Sequence, residues 1–244
     1  MKPQIRSLIR QALREDIGSG DLTTKALVPP DLSGTAYIQA KSNGILCGGE
    51  VVKEVFRLID SRLKVAQTVS DGGCVSKGKK VFILKGRLSS ILKGERVALN
   101  FLGHLSGIAT LTYQFAAKIK GTRAKIYDTR KTTPLWRELE KYAVRTGGGV
   151  NHRFGLWDEI LVKDNHWAAI RPLLEKTRCR YFGERLESAL ARKKVPVEIE
   201  VASLRELSHL LEGKFRPDRI LLDNFSVRDI KHAVKFVKKM RRGI

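Results

Sequence analysis

Cysteine is scarce: Cys47, Cys74 and Cys179 are the only three in 244 residues. They stand far apart and form no C-x-x-C pair, so neither a disulfide framework nor a zinc site is indicated, and a reducing cytoplasm is the expected setting. Long apolar runs are missing too. No stretch approaches the roughly 18 to 20 residues that span a bilayer. Residues 1–13 carry Ile5, Leu8, Ile9, Ala12 and Leu13 at helical spacing rather than the layout of a signal peptide, so no membrane partner is expected. Acidic residues are outnumbered, 25 against 47 basic ones, which leaves a formal charge of +22. Such a charge draws anionic partners whatever the fold. Yet there is no zinc-finger spacing, RNP-type aromatic motif or heptad repeat to organise a nucleic-acid surface. The basic residues are spread along the chain, with one dense cluster at Lys235, Lys238, Lys239, Arg241 and Arg242. Nucleic acid is therefore not the expected partner.

The chain is 42% hydrophobic, enough to bury a core in one barrel-sized domain or two smaller ones. After the opening helix, the loop from Glu15 to Asp21 brings two glycines that stop it. Between residues 35 and 86, short β-like runs (36–40, 45–47 and 81–84) surround a helical stretch over 51–59, which reads as a small α+β module. Asp71-Gly72-Gly73-Cys74-Val75-Ser76-Lys77-Gly78 resembles the turn of lipoyl or biotinyl carriers. No modifiable lysine sits at a hairpin tip, so a carrier function is not expected. From residue 89 to about 120 the pattern is helical, with Val97, Phe101, Leu102 and Leu105 on one face and an interruption at Gly103-His104-Leu105-Ser106-Gly107. This segment is expected to link two domains, 1–106 and 107–244.

Beyond it, strand-length runs at 125–127, 159–162, 195–201 and 219–222 alternate with helical segments. Ser203-x-x-Glu206 is a capping box opening a helix with Leu204, Leu207, Leu210 and Leu211 inside and Gly213 as its stop. Ser226 caps a helix whose Ile230, Ala233, Val234 and Val237 form one stripe. Strands alternating with capped helices point to a parallel sheet or barrel.

At the strand ends the sequence changes abruptly from apolar to charged: Tyr127 gives way to Asp128-Thr129-Arg130-Lys131, and Val162 to Lys163-Asp164-Asn165-His166. Glu198-x-Glu200 and Asp223-Asn224 stand at the other two. In a βα-barrel such ends converge on one mouth, although an ordinary βα turn carries polar caps as well. Arg130, Lys131, Arg153 and Lys163 suit a polyanion, because arginine offers a planar fork and lysine a point charge. Glu200 and Asp223 can hold Mg²⁺, grip sugar hydroxyls or stabilise a cationic transition state. His152 either orients a substrate carboxylate or is structural. Gly147-Gly148-Gly149 either lets backbone approach an anion or stops a helix, and stays unassigned.

These motifs resemble the quinolinate phosphoribosyltransferase family from end to end. The matching segments are Asp128-Thr129-Arg130-Lys131-Thr132-Thr133-Pro134, Glu138-Leu139-Glu140-Lys141-Tyr142-Ala143-Val144, Gly147-Gly148-Gly149-Val150-Asn151-His152-Arg153 and Lys163-Asp164-Asn165-His166. Glu95-Arg96-Val97-Ala98-Leu99-Asn100 through Ser106-Gly107-Ile108-Ala109-Thr110, the Glu15-Asp16 loop, Glu198-Ile199-Glu200 and Leu221-Leu222-Asp223-Asn224-Phe225 match as well. The resemblance implies an N-terminal α/β sandwich followed by a (β/α) barrel, and the conversion of quinolinate and phosphoribosyl pyrophosphate to nicotinate mononucleotide, pyrophosphate and carbon dioxide. It also implies Mg²⁺ and a homodimer in which Arg96 reaches the neighbouring site. Thr129, Arg130, His152, Arg153 and Lys163 are then substrate-binding. Lys131 touches both substrates, and Glu200 and Asp223 serve ribose and metal, with Lys131, Glu200 and Asp223 as the catalytic set.

Two departures stand against that pattern. Ala202 occupies a position that is usually acidic, and the chain stops at Arg242-Gly243-Ile244, before the turns expected to cradle the ribose 5′-phosphate. The expected C-terminal domain is therefore an incomplete barrel lacking its last strands, in a fragment or a weakened enzyme. The alternatives are a non-catalytic anion- or nucleic-acid-binding protein, or a paralogue using another base.

Overall fold

The structure, a computed structural model, describes residues 1–169, 188, 195–212 and 216–241. Gly213, Cys179 and Arg242, singled out above, lie outside the described residues. The chain falls into two compact units, Met1–His152 and Arg153–Ile244.

The first unit opens with α1 (Pro3–Ile17), which buries Ile9 and Leu13. It runs through Glu15 and Asp16, expected as loop, and stops at Gly18, whose N–H closes on the Arg14 carbonyl at 3.0 Å. Short α2 (Leu22–Leu27) is capped by Asp21, which accepts from the Thr24 N–H at 2.9 Å. Next come β1 (Ser33–Gln39), β2 (Gly44–Ile45), α3 (Gly49–Ile59), β3 (Lys64–Gln67), β4 (Cys74–Val75) and β5 (Lys80–Arg87). β1, β5 and β3 form an antiparallel sheet in that order, and β2 pairs with β4. One core runs through the unit, with Val52, Val55 and Phe56 of α3 and Val81, Phe82 and Leu84 of β5 all buried. Gly48, the N-cap of α3, has no side chain to offer; the Asp71 carboxylate takes that place, accepting from the N–H groups of Gly48 and Gly49 at 2.9 and 3.0 Å. An anion at a helix N-terminus satisfies open donors and complements the dipole, so the carrier-like turn is a capping device.

α4 (Leu88–Lys118) is a single helix of 31 residues. The interruption expected at Gly103–Gly107 does not occur. Each glycine costs about 1 kcal/mol of helix propensity, but fully buried Leu105 and Ala109 and the Ser106 hydroxyl, which accepts from the Cys47 N–H at 3.0 Å, hold the helix through it. α5 (Arg137–Thr146) packs on α4 within this unit. Phe101 of α4 stacks on Trp136, immediately before α5, at 4.5 Å between ring centroids. The strand expected at 125–127 is reduced to one parallel bridge, Tyr127 to Val150.

The second unit holds β6 (Ile160–Val162), β7 (Val197–Val201), α6 (Leu204–Glu212), β8 (Arg219–Leu222) and α7 (Val227–Arg241). Its strands form a parallel sheet in the order β6-β7-β8. Both expected caps are in place. The Ser203 hydroxyl accepts from the Glu206 N–H at 3.2 Å while the Glu206 carboxylate reaches back to the Ala202 N–H at 2.8 Å. The Ser226 hydroxyl accepts from the Asp229 N–H at 3.1 Å. Of the stripe expected on α7, Ala233 is buried, whereas Ile230 and Val234 stay exposed. No described helix is long and apolar enough to cross a membrane.

Candidate active site

The parallel register sorts the second unit's side chains by face. Val162 pairs with Ile199, and Glu200 with Leu221. Side chains alternate along a strand, so Val162, Val197, Ile199 and Val201 share a face, and all four are buried. Leu161, Glu198, Glu200, Arg219 and Leu221 share the other, which Lys163 and Asp223 continue just past the ends of β6 and β8. The polar face has two layers. Lower down, Glu198, 5% exposed, lies against Arg219, whose Nε is 3.1 Å from Glu198 Oε2, an ion pair by proximity without hydrogen-bond alignment. Arg219 also pairs with Glu159. At the C-terminal ends stand Lys163, Glu200 and Asp223, where βα sheets place their chemistry. The Asp223 N–H is anchored on the Val201 carbonyl at 2.9 Å.

Among the described residues, Glu200 makes no ion pair of the kind that Arg219 gives Glu198. Partial burial pushes its carboxyl above the usual glutamate range, the charges of Asp223, Asp164 and Glu198 push it the same way, and Lys163 opposes them. A carboxylate held among like charges favours an arriving cation. Arg153 is buried at the start of this unit and donates from Nη1 to the Glu159 carbonyl at 3.1 Å. The Lys163 N–H donates to Nδ1 of His166 at 3.2 Å.

In the first unit, Thr129, Arg130 and Lys131 sit on a tight turn in which the Thr129 hydroxyl accepts from the Lys131 N–H at 3.0 Å. Thr129 and Lys131 are exposed and Arg130 is half-buried. Arg137 braces the turn from α5, donating to the Thr132 hydroxyl at 3.1 Å and the Arg130 carbonyl at 3.4 Å. His152 is half-buried, with its N–H on the Asp128 carboxylate at 2.9 Å. Arg96 projects from α4 and is exposed. The structure thus gathers Lys163, Glu200 and Asp223 on one sheet end, and Thr129, Arg130 and Lys131 on one turn. Sequence reasoning gave no role to Lys141 and Asp128, which pair with each other beside the turn, or to Arg219, which pairs with Glu159 and Glu198; of the three, only Arg219, a lone charge opening an apolar strand, left a signal in the sequence.

Residues 21–106 match the model of the quinolinate phosphoribosyl transferase N-terminal domain, and residues 108–244 that of its C-terminal domain. The chain belongs to the quinolinate phosphoribosyltransferase family. Within that family it is 40% identical over 232 residues to the probable nicotinate-nucleotide pyrophosphorylase (carboxylating) of Bacillus subtilis (strain 168), covering 95% of this chain and 77% of that protein. It is also 40% identical over 235 residues to the nicotinate-nucleotide pyrophosphorylase (carboxylating) of Mycobacterium leprae (strain TN), covering 94% and 78%. The crystal structure of NadC from Streptococcus pyogenes superposes with a TM-score of 0.86 at 38% identity, over 98% of this chain and 82% of that one. Nicotinate-nucleotide pyrophosphorylase from Ehrlichia chaffeensis gives 0.87 at 35% identity, over 98% and 84%. The family's pairing of a sheet-bearing N-terminal domain with an α/β C-terminal domain is the architecture seen here.

Proposed function

We propose that this chain is a quinolinate phosphoribosyltransferase of NAD biosynthesis, making nicotinate mononucleotide, pyrophosphate and carbon dioxide from quinolinate and phosphoribosyl pyrophosphate. Family membership over nearly the whole chain supports the reaction. The observation that carries the reading at the level of residues is Lys163, Glu200 and Asp223 together at the ends of three adjacent parallel strands.

The pyridine nitrogen bonds to the sugar C1′ as the bond from C1′ to pyrophosphate breaks, through a centre that gathers positive charge at the sugar. The carboxylates of Glu200 and Asp223 stabilise that charge and hold the ribose hydroxyls. Arg130, Arg153, Lys163 and His152 grip the two carboxylates of quinolinate, with Thr129 beside them and Arg96 supplied by the second subunit of a homodimer. Lys131 reaches both substrates. Once the nitrogen is alkylated, the carboxylate next to it leaves as carbon dioxide and its electron pair on the ring carbon takes up a proton.

Glu200 and Asp223 fit Mg²⁺, since both are hard oxygen donors and the Glu200 carboxyl is raised by burial and by its acidic neighbours. Bound there, the ion would neutralise the pyrophosphate leaving group. Free Cys47 and Cys74 are in keeping with a cytoplasmic setting. A non-catalytic anion- or nucleic-acid-binding role is not favoured, because the chain matches both domains of an enzyme family.

The test is pyrophosphate and carbon dioxide release from quinolinate, phosphoribosyl pyrophosphate and Mg²⁺, one of each per turnover. Turnover of nicotinate without turnover of quinolinate would overturn the substrate assignment.

A further inference from the structure

Lys141 is 2% exposed, and lysine is almost never buried to this degree unless its charge is paired. Its ammonium donates to the Asp128 carboxylate and to the His152 carbonyl, the latter at 2.9 Å. Asp128 in turn accepts from the His152 N–H at 2.9 Å and from the Asn151 side-chain amide, and that amide also donates to the Lys141 carbonyl at 2.9 Å. The ring is closed: helix α5, the residue that begins Asp128-Thr129-Arg130-Lys131, and the Asn151-His152 segment are tied together through one buried charge pair. Regular backbone structure ties the two segments only weakly, through the single bridge of Tyr127 to Val150. A buried ion pair is a poor source of stability compared with apolar packing, but its fixed geometry can specify one arrangement.

We propose that Lys141 is a positioning residue for dicarboxylate recognition: through Asp128 and the His152 carbonyl it fixes the turn bearing Arg130 and Lys131 against the segment bearing His152. This rests on the phosphoribosyltransferase reading. Lys141 touches no substrate in this role and acts only by setting where others stand.

The experiment compares wild type, Lys141→Met, the pair Lys141→Met with Asp128→Asn, and Tyr142→Phe. Tyr142 is the control: it is the next residue of α5, its hydroxyl donates to Asp71 at 2.7 Å, and it stands outside the ring. Each protein is assayed for thermal midpoint, for KM and kcat with quinolinate, and for amide hydrogen exchange at His152 relative to Val55 and Phe82 in the core. Lys141→Met alone lowers the midpoint by leaving a buried carboxylate without its cation. The double variant recovers most of that loss. Its KM for quinolinate nevertheless stays at least tenfold raised with kcat within threefold, and its His152 amide exchanges at least tenfold faster. Tyr142→Phe lowers the midpoint and moves neither KM nor His152 exchange. Wild-type KM and wild-type His152 protection in the double variant would make the pair purely structural and overturn the proposal. Should wild type fail to turn over quinolinate, the enzyme reading falls by itself, and exchange at His152 still decides the clamp without substrate.

Discussion

Replacing Gly147 by alanine probes the contact that seats α5 on α4. A Cβ at this position would lie 2.3 Å from the Ala109 carbonyl oxygen and 2.7 Å from the Thr112 Cβ. Non-bonded heavy atoms settle near 3.5–4.0 Å, so the two helices must part by on the order of 1 Å. Neither obstacle can turn aside: one is the backbone of α4 and the other is the Cβ of a buried, β-branched side chain. Gly147 has φ −78°, which alanine adopts freely, so the cost is overpacking rather than dihedral strain. Overpacking of this kind costs about 1–3 kcal/mol. In a protein of this size it should lower the thermal midpoint by roughly 2–12 °C. Gly103, inside α4, supplies the opposite sign, because a Cβ there meets nothing within 4 Å. Gly103→Ala should stabilise by about 1 kcal/mol, or roughly 2–4 °C, through helix propensity alone. Scanning calorimetry with urea unfolding of both variants reads the two shifts. A Gly147→Ala protein as stable as wild type would refute the α4–α5 contact as described, whatever Gly103→Ala does.

Three further outcomes are expected. Because the Glu200 carboxyl is raised above the unfolded-state value, folding favours its protonated form; that contribution is full in acid and is lost as pH rises through the folded-state value. Glu200→Gln should therefore raise the thermal midpoint at neutral pH, show no gain below the ordinary glutamate range, and lose turnover; a midpoint gain independent of pH would contradict this origin. Arg219→Met removes a cation that pairs with both Glu198 and Glu159, and should lower stability measurably in urea unfolding; a change within experimental error would show the pair to be idle. Chelation of Mg²⁺ should abolish turnover, and Asp223→Asn should raise the Mg²⁺ concentration for half-maximal rate at least tenfold, measured by titration at saturating substrates.

Elements with one dominant signal were legible in the sequence. α3 has its valines and Phe56 at helical spacing, and α6 and α7 open on Ser203 and Ser226, whose hydroxyls cap as expected. β3 was not legible: Lys64-Val65-Ala66-Gln67 is short, and only pairing with β5 makes it a strand. α4 was misread at its glycines because local propensity is weak beside the burial of Leu105 and Ala109. Lys163, Glu200 and Asp223 could be found because strand ends turn abruptly from apolar to charged. Lys141 could not, since a lysine in a charged helix looks solvated until the fold buries it. Glu198 and Glu200 look alike in sequence, and only register and Arg219 separate the paired carboxylate from the one at the strand end.

The family's two domain models meet between residues 106 and 108, and that junction falls inside α4, Leu88–Lys118. A break there would split one rod between Leu105 and Ala109, both wholly buried. It would also hang Ser106, which grips Cys47, on a fraying end. The halves recognised as separate modules are thus not interchangeable parts. A cut at that seam runs through a helix, so an exchange between relatives keeps α4 from a single parent only if the whole helix travels with one half.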